Sequence, residues 1–216
     1  MSAVATKIAV LDYGMGNLHS VGKALEHVAP NAEVVITESA ADVENADRVV
    51  FPGVGAMRDC MQGILQHGFD AVIKKAIAEK PVLGVCVGMQ ALFDSSDENG
   101  LTPALGILPG TINFFGDDLK DSENQRLKVP HMGWNQVNQT VDHPLWHNIQ
   151  SGERFYFVHS YYLDGAHPAT IGVCDYGVKL GAAVAGGNLV AVQFHPEKSH
   201  TAGLRLLENF VNWNPA

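Results

Sequence analysis

The stretch Pro81-Val82-Leu83-Gly84-Val85-Cys86-Val87-Gly88 joins a strand-like run to a helix-like run. Its apolar part, Val82 to Val85, is short and rich in branched residues, which is typical of a buried strand. The segment after it, Met89 to Phe93, is apolar and has a helical pattern. Cys86 lies between two glycines, which lack the Cβ atoms that a sharp turn would crowd. The stretch therefore predicts a strand–turn–helix unit with a cysteine where hydrolases place a nucleophilic serine.

Strand-like and helix-like runs alternate through the first half of the chain. The predicted strands are Lys7–Asp12, Val34–Ile36, Arg48–Phe51 and Pro81–Val85, and the predicted helices are Asn17–Val28, a segment from Ala56, and Asp70–Glu79. This alternation implies parallel pairing in an open α/β sheet. In such sheets, chemistry gathers beyond the carboxyl ends of the strands.

The second half is mostly strand-like. Predicted strands span Ile107–Phe115, Val129–Val137, Arg154–Leu163, Thr170–Cys174, Ala182–Val184 and Leu189–Phe194, and a helix spans Ala202–Trp213. Gly186-Gly187-Asn188 separates the last two strands and is a hairpin signal. We expect an α/β fold of three layers: an open mixed, mostly parallel sheet flanked by helices, with extra antiparallel strands. Residues 1–216 are expected to form a single domain.

Composition excludes several classes of protein. The 216 residues are 46% hydrophobic and 17% charged, which suits one globular core. With 14 Lys+Arg against 23 Asp+Glu and no basic stripe, nucleic acid is not an expected partner. Apolar runs are strand-length and Met1–Thr6 is polar, so neither a membrane span nor a signal peptide is predicted.

The three cysteines form no disulfide framework, which predicts a reducing, cytoplasmic location. Cys60 and Cys174 are predicted to be buried structural thiols. No nucleotide-binding glycine motif and no metal-ligand spacing occur, so neither a cofactor nor a metal is expected.

Cys86 is the predicted nucleophile. The N-terminus of the following helix favours thiolate over thiol, and the Val87 amide can bind an oxyanion. A thiol nucleophile needs a base, and His195 follows the apolar run Leu189–Phe194, whose end lies at the same edge of the sheet. Glu197 can hold the imidazole nitrogen that faces away from Cys86, as in a catalytic triad.

The loop Pro52-Gly53-Val54-Gly55-Ala56 also follows a predicted strand. If this loop lies beside Cys86, the Val54 amide becomes a second oxyanion donor. The flanking glycines leave the orientation of that peptide open, so assembly of the site on docking of a partner remains an alternative. His131 and His159 are predicted to pack or to make hydrogen bonds beneath the site, because one base suffices.

Three motifs together resemble class I glutamine amidotransferases. They are Pro-Gly-Val-Gly-Ala at 52 to 56, Gly-Val-Cys-Val-Gly-Met-Gln at 84 to 90 and His-Pro-Glu-Lys-Ser at 195 to 199. Asp-Tyr-Gly-Met-Gly-Asn-Leu at 12 to 18, Val-Pro-His-Met-Gly-Trp-Asn at 129 to 135 and Tyr-Phe-Val-His-Ser-Tyr-Tyr at 156 to 162 narrow the resemblance to the glutaminase subunits of imidazole glycerol phosphate synthases.

The resemblance implies a heterodimer with a cyclase subunit, a (β/α)8 barrel that receives ammonia cut from L-glutamine. It implies that Cys86 attacks the amide carbon, that His195 moves the proton and that Glu197 orients His195. The implied substrate contacts are Gly53, Gly55, Gln90, Glu98, Ser160 and Tyr161. Trp134 and Lys198 are implied to face the cyclase.

Two alternatives stay open on the motifs around Cys86 and His195 alone. One is another enzyme of this architecture, such as a pyridoxal-phosphate-synthase glutaminase or a cysteine peptidase. The other is a binding module that has lost catalysis. The segments 129 to 135 and 156 to 162 favour the histidine-pathway enzyme, and the presence of all three triad residues argues against the binding module.

Overall fold

The computed structural model describes residues 5 to 215, so most of the polar stretch Met1–Thr6 lies outside the described residues. The first half contains β1 (Lys7–Leu11), α1 (Leu18–Val28), β2 (Glu33–Thr37), α2 (Ala40–Glu44), β3 (Arg48–Gly53), α3 (Met57–Gln66), α4 (Phe69–Glu79), β4 (Val82–Cys86) and α5 (Val87–Gln90). The second half contains β5 (Ser95–Ser96), β6 (Thr102–Pro103), β7 (Thr111–Phe114), β8 (His131–Gln139), β9 (Glu153–His159), β10 (Tyr161–Asp164), β11 (Thr170–Asp175), β12 (Lys179–Gly186), β13 (Leu189–Val192) and α6 (His200–Asn212).

The strands form one mixed sheet. Its parallel part runs in the order β2-β1-β3-β4-β13, and β12, β10 and β7 extend it by antiparallel pairs. A branch leaves β12 through β11, β8 and β9, also by antiparallel pairs. The predicted α/β fold, a mixed sheet flanked by helices with added antiparallel strands, is confirmed. The prediction that the sheet is mostly parallel holds only for the part from β2 to β13, because the second half of the chain adds strands by antiparallel pairing.

Helices cover both faces of the parallel part. The chain steps from β1 to β2 in one direction across the sheet and from β3 to β4 in the other. Right-handed crossovers therefore put α1 on one face and α3 and α4 on the opposite face. The packing agrees, because α6 lies against α1 whereas α2 lies against α4. Within residues 5–215, no helix is both long and apolar enough to span a bilayer.

Three neighbouring strands end together and define the edge where the site lies. All residues of β3, β4 and β13 are buried, as their apolar sequences predict. Gly53 at the end of β3 pairs with Cys86 at the end of β4, and Val192 pairs with Val85. Segments that leave β3, β4 and β13 therefore emerge side by side.

Two predicted elements have different bounds for clear reasons. The predicted helix Met89–Phe93 is the one-turn helix α5, which begins immediately after Cys86. The predicted strand Arg154–Leu163 is two strands divided at Ser160. The chain changes partners there, because β9 pairs with β8 whereas β10 pairs with β7 and β12.

Three further differences between the predicted and the observed elements have causes in the local sequence. The predicted strand Ile107–Phe115 is only β7, since Pro109-Gly110 interrupts the extended pattern before it. The strand predicted from Val129 begins at His131, after Pro130, which has no N–H to donate. The short helix α2 was not predicted; its Ser39 side chain accepts a hydrogen bond from the Asp42 amide.

Two glycines, Gly88 and Gly53, allow the turn after β4 to pack closely against β3. A Cβ on Gly88 would overlap the backbone carbonyl of Phe51, and a Cβ on Gly53 would lie 2.5 Å from the Tyr13 hydroxyl. Both positions therefore accept only glycine without movement of the backbone or of a buried ring.

The Gly88→Ala variant should lose about 3 kcal/mol of unfolding free energy or more, because its methyl group overlaps a backbone oxygen that cannot move. Gly186→Ala is the matched control, since a Cβ there meets nothing within 4 Å. Urea denaturation measures both variants. Equal stability of the two variants would contradict the close packing of α5 on β3.

Candidate active site

A cavity of about 290 Å³ opens at the edge where β3, β4 and β13 end. Its volume lies near the small end of the range for ligand pockets, which suits a ligand the size of an amino acid. It is lined by Val54, Gly55, Cys86, Val87, Gln90, Glu98, Pro130, Val158, His159, Ser160, Tyr161 and His195.

Cys86 lies between β4 and α5 with a φ of 56°, a conformation that non-glycine residues rarely adopt. The residue is buried, and its sulfur lies 3.9 Å from the Val158 carbonyl oxygen and 3.8 Å from Gln193 Nε2. Because α5 has only four residues, its macrodipole is small, and its contribution is the N–H group of Val87, which has no partner within a helix.

His195 and Glu197 form a buried pair beside Cys86. His195 Nδ1 donates to Glu197 Oε1 over 2.9 Å, and their side chains are 3% and 1% exposed. The imidazole is held at its backbone as well, because the His195 amide donates to the Tyr156 carbonyl. His195 Nε2 and Glu197 Oε2 are buried without a hydrogen-bond partner among the described residues. With Nδ1 committed to Glu197, Nε2 is the nitrogen available for proton exchange in the cavity.

Electrostatics favour a charged imidazole at this position. Burial acts to lower the pKa of His195, but its polar interactions with Cys86 and Glu197 outweigh burial and raise the pKa to about 10. A protonated His195 holds its second proton on Nε2, where it is available to a group in the cavity. The structure thus brings Cys86, His195 and Glu197 together in an arrangement suited to nucleophilic catalysis.

The loop after β3 forms the opposite wall and is anchored by two side chains. The Tyr13 hydroxyl donates to the Pro52 carbonyl over 2.6 Å, and the Cys60 thiol donates to the Val54 carbonyl over 3.3 Å. Burial raises the pKa of Cys60 to about 12, so its sulfur keeps the proton that it donates. Sequence reasoning treated Cys60 as a packing residue and missed this contact. The oxyanion roles of the Val54 and Val87 amides stay predictions.

Most of the predicted substrate contacts line the cavity. Gly55, Gln90, Glu98, Ser160 and Tyr161 all do so.

Gly53 does not line the cavity. It is buried at the end of β3, where it pairs with Cys86 and allows Tyr13 and the Gly88 amide to approach. Its contribution is therefore to packing beneath the site.

Glu98 is also bound to the start of a helix. Its Oε2 accepts a 2.7 Å hydrogen bond from the amide of Met57, the first residue of α3. A carboxylate there stabilises the start of the helix. Glu98 therefore links α3 to the cavity wall.

The Tyr161 carbonyl oxygen accepts two hydrogen bonds, from Gln90 Nε2 at 3.0 Å and from His159 Nδ1 at 2.8 Å. A carbonyl oxygen can only accept, so the Gln90 atom that faces it must be the nitrogen. Gln90 Nε2 also donates to Gln193 Oε1 over 2.8 Å. Since both Gln90 amide protons are used, Gln90 can offer a ligand only its acceptor oxygen.

The same carbonyl fixes the protonation of two buried histidines. His159 Nδ1 carries the proton donated to Tyr161, so His159 Nε2 accepts, over 3.0 Å, from His131 Nδ1. His131 Nε2 in turn accepts from Asn135 Nδ2 at 3.3 Å. Burial lowers the pKa of His131 to about 4 and that of His159 to about 3. Both rings are therefore neutral at physiological pH and form a hydrogen-bonded support beneath the cavity, as predicted from the sequence.

The two predicted interface residues lie on one surface. Trp134 is 42% exposed and stacks on the ring of His200, with centroids 5.0 Å apart, and Lys198 is exposed two residues before that histidine. Trp134 pairs in register with Tyr156, whose carbonyl binds the His195 amide. This surface is thus one strand away from the His195 backbone.

Comparison with known proteins gives one family. The model of the family described as glutamine amidotransferase class-I matches residues 9–213. The chain is 56% identical over 208 residues to the imidazole glycerol phosphate synthase subunit HisH of Pseudomonas putida, covering 96% of this chain and 97% of that protein. It is 57% identical over 211 residues to the protein of that name from Acinetobacter baylyi, covering 97% and 99%.

Solved structures share the fold. A crystal structure of a glutamine amidotransferase superposes with a TM-score of 0.69 at 17% identity, covering 95% of this chain and 97% of that one. The structure of PurLQS from Thermotoga maritima gives a TM-score of 0.67 at 17% identity, covering 97% and 99%.

The His131→Asn variant should lose less stability than the parent as the pH falls from about 6.5 to 4. The folded-state pKa of His131 lies below the ordinary value, so in this window the unfolded chain binds the extra proton and the parent loses stability as pH falls. Removing one such group should reduce the slope by up to about 1.4 kcal/mol per pH unit. Urea midpoints between pH 7 and 4 measure it. His19→Asn, at an exposed position, is the control, and equal slopes for all three proteins would contradict the neutral buried pair.

Proposed function

The chain belongs to the class I glutamine amidotransferase family, and we propose that it is the glutaminase subunit of an imidazole glycerol phosphate synthase. In this role it hydrolyses glutamine to glutamate and ammonia and supplies the ammonia to a partner subunit. The observation that carries the proposal is the meeting of Cys86 and the buried His195–Glu197 pair at one small cavity. The sequence identity of 56% to the Pseudomonas protein and 57% to the Acinetobacter protein extends over nearly the whole chain and supports the histidine-pathway assignment.

In the proposed first half-reaction, the Cys86 sulfur attacks the side-chain amide carbon of glutamine. The negative charge that develops on the amide oxygen is stabilised by the backbone N–H groups of Val87 and Val54. His195 Nε2 then donates its proton to the departing nitrogen, which leaves as ammonia. The C–N bond breaks and a C–S thioester remains on Cys86.

In the second half-reaction, water attacks the thioester carbon. His195 Nε2, now neutral, takes a proton from that water, and the C–S bond breaks to release glutamate. Glu197 keeps the proton on Nδ1 throughout, so the same nitrogen serves in both halves. The short Nδ1 to Oε1 distance of 2.9 Å and the burial of both groups support this positioning role.

Gln90, Glu98, Ser160 and Tyr161 are the proposed contacts of the glutamine substrate, together with the backbone at Gly55. Their place in the cavity lining supports this assignment. Because both Gln90 amide protons are already donated, Gln90 would accept a hydrogen bond from an N–H of the substrate. Glu98 supplies a negative charge suited to an amino group.

The proposed partner is a cyclase subunit with a (β/α)8 barrel, forming a heterodimer. The exposed surface of Trp134 and Lys198 is its proposed contact, since half-exposed aromatic residues are enriched at interfaces. The joint reaction would yield imidazole glycerol phosphate and aminoimidazole carboxamide ribotide. We also propose that residues 1–216 form one domain and act in the cytoplasm, since the chemistry needs a reduced Cys86.

Glutamate release should be slow for this chain alone and should rise on addition of the matching cyclase with its nucleotide ligand. Cys86→Ala should abolish release at every partner concentration, because the thioester cannot form. A coupled assay for glutamate measures both. Binding of Cys86→Ala to the cyclase, followed by analytical ultracentrifugation, shows that the variant still folds and docks.

Turnover retained in Cys86→Ala would contradict the mechanism. Glutaminase activity that is indifferent to the cyclase would keep the mechanism and contradict the proposed synthase. Cleavage of peptides without turnover of glutamine would instead indicate a cysteine peptidase, which is the alternative enzyme of this architecture.

Cys60→Ala should lower glutaminase activity by about tenfold, whereas Cys60→Ser should retain most of it. The serine hydroxyl can still donate to the Val54 carbonyl, but alanine leaves that carbonyl without its anchor and loosens the loop. Cys174→Ala, which changes a buried thiol at β11, is the control. Equal loss in Cys60→Ala and Cys60→Ser would mean that only the packing of sulfur matters at this position.

A further inference from the structure

Gln193 contacts the Cys86 sulfur, and neither the sequence motifs nor the proposed mechanism assigns it a role. It follows β13, two residues before His195, and its side chain is fully buried. Its Nε2 lies 3.8 Å from the Cys86 sulfur and its Oε1 lies 2.8 Å from Gln90 Nε2. A buried amide with both ends engaged is held in one orientation.

The orientation of the Gln193 amide follows from the Tyr161 carbonyl. That carbonyl can only accept, so it faces the Gln90 nitrogen. The nitrogen of Gln90 can only donate, so the Gln193 atom that it meets must be the oxygen. The Gln193 nitrogen must therefore face Cys86, and an N–H group points to the sulfur. The Tyr161 carbonyl thus determines which end of each glutamine amide is the oxygen and which is the nitrogen.

We infer that Gln193 is a positioning residue for the Cys86 sulfur, which it holds through its N–H group while its carbonyl oxygen holds Gln90. An N–H donor stabilises a negatively charged sulfur more than a neutral one. The same side chain fixes the substrate-facing oxygen of Gln90. Gln193 thereby sets the nucleophile and one wall of the cavity relative to each other. This inference deepens the proposed function and rests on it for the identity of the substrate.

The geometry distinguishes Gln193 from a residue that only fills space. An apolar side chain of the same length would fill the volume, but it would leave one Gln90 proton without an acceptor and remove the amide N–H from the sulfur. Val158, whose carbonyl oxygen also lies near the sulfur at 3.9 Å, offers only an acceptor and cannot stabilise a thiolate. Gln193 is thus the side-chain amide that opposes Val158 at the sulfur.

The test is the pH dependence of Cys86 alkylation by iodoacetamide, followed by mass spectrometry of the intact full-length chain. Gln193→Met should raise the midpoint pH of alkylation by about one unit, which slows alkylation about tenfold below the midpoint. Gln90→Met leaves the N–H of Gln193 in place, so it should move the midpoint less and raise the KM for glutamine. Burial raises the pKa of Cys60 and of Cys174 to about 12, and Cys86→Ala gives the remaining background.

Two further variants separate positioning from stability. Asn209→Leu removes a buried amide that donates only to the carbonyls of Leu145 and His147, so it should lower stability without moving the midpoint. Gln193→Leu removes both ends of the amide and fills most of the same volume. It should raise the midpoint as Gln193→Met does, and it serves if the methionine variant does not fold.

An unchanged midpoint in a folded Gln193 variant, with a stability loss like that of Asn209→Leu, would overturn the inference. Alkylation of Cys86 does not require glutamine, so this test of the role of Gln193 is independent of the test of the proposed glutaminase function. A raised midpoint in a chain that never turns over glutamine with the cyclase would contradict the proposed function alone. An unchanged midpoint in a chain that does turn over glutamine would contradict the role of Gln193 alone.

Discussion

A single backbone atom, the carbonyl oxygen of Tyr161, determines how the polar groups around the cavity are arranged. It accepts from Gln90 on one side and from His159 on the other, and each of these donors has a further partner. Through Gln90 it sets the direction of the Gln193 amide, and through His159 it sets the tautomer of His131. Two amides and two imidazoles thus have one consistent pattern of donors and acceptors, with no buried pair of like groups.

That carbonyl occupies its position because the chain changes partners at Ser160. The parallel strands supply the nucleophile and the base, since β4 and β13 end side by side. The antiparallel strands supply the wall that faces them, because β9 pairs with β8 in the branch and β10 pairs with β7 and β12 in the main sheet. The cavity lies where these two kinds of pairing meet. Its shape therefore depends on a break in a strand as much as on the strands themselves.

The sequence alone predicted those parts of the site that are encoded locally. Cys86 follows a buried strand within a glycine-flanked turn, and His195 and Glu197 stand two residues apart after another strand, so short patterns suffice to single them out. The parallel sheet was predictable for the same reason, because alternation of strands and helices is visible along the chain.

The parts that sequence reasoning missed depend on contacts between distant segments. Gln193 meets Gln90 across 103 positions, and no local pattern marks an amide for such a contact. Cys60 and Val54 lie six positions apart, but their bond exists only because the turn of α3 returns the thiol to the loop. The break at Ser160 was missed because its sequence, Tyr156 to Tyr162, keeps a strand-like composition throughout. Gly53 is predicted to contact the ligand, and the structure places it outside the cavity lining, where its lack of a side chain allows close packing.

The close packing of glycines around Cys86 has a consequence for how this protein can change over evolutionary time. A side chain at Gly84 would press on Ala191, and one at Gly53 on the Tyr13 hydroxyl, so single substitutions at these positions act first on folding. Substitution near the nucleophile is therefore restricted by packing, whereas a change at an exposed position such as Leu65, at 59% exposure, costs little stability. Exposed residues of this protein can change by single substitutions during evolution. A different turn beneath the Cys86 sulfur would require several substitutions at once.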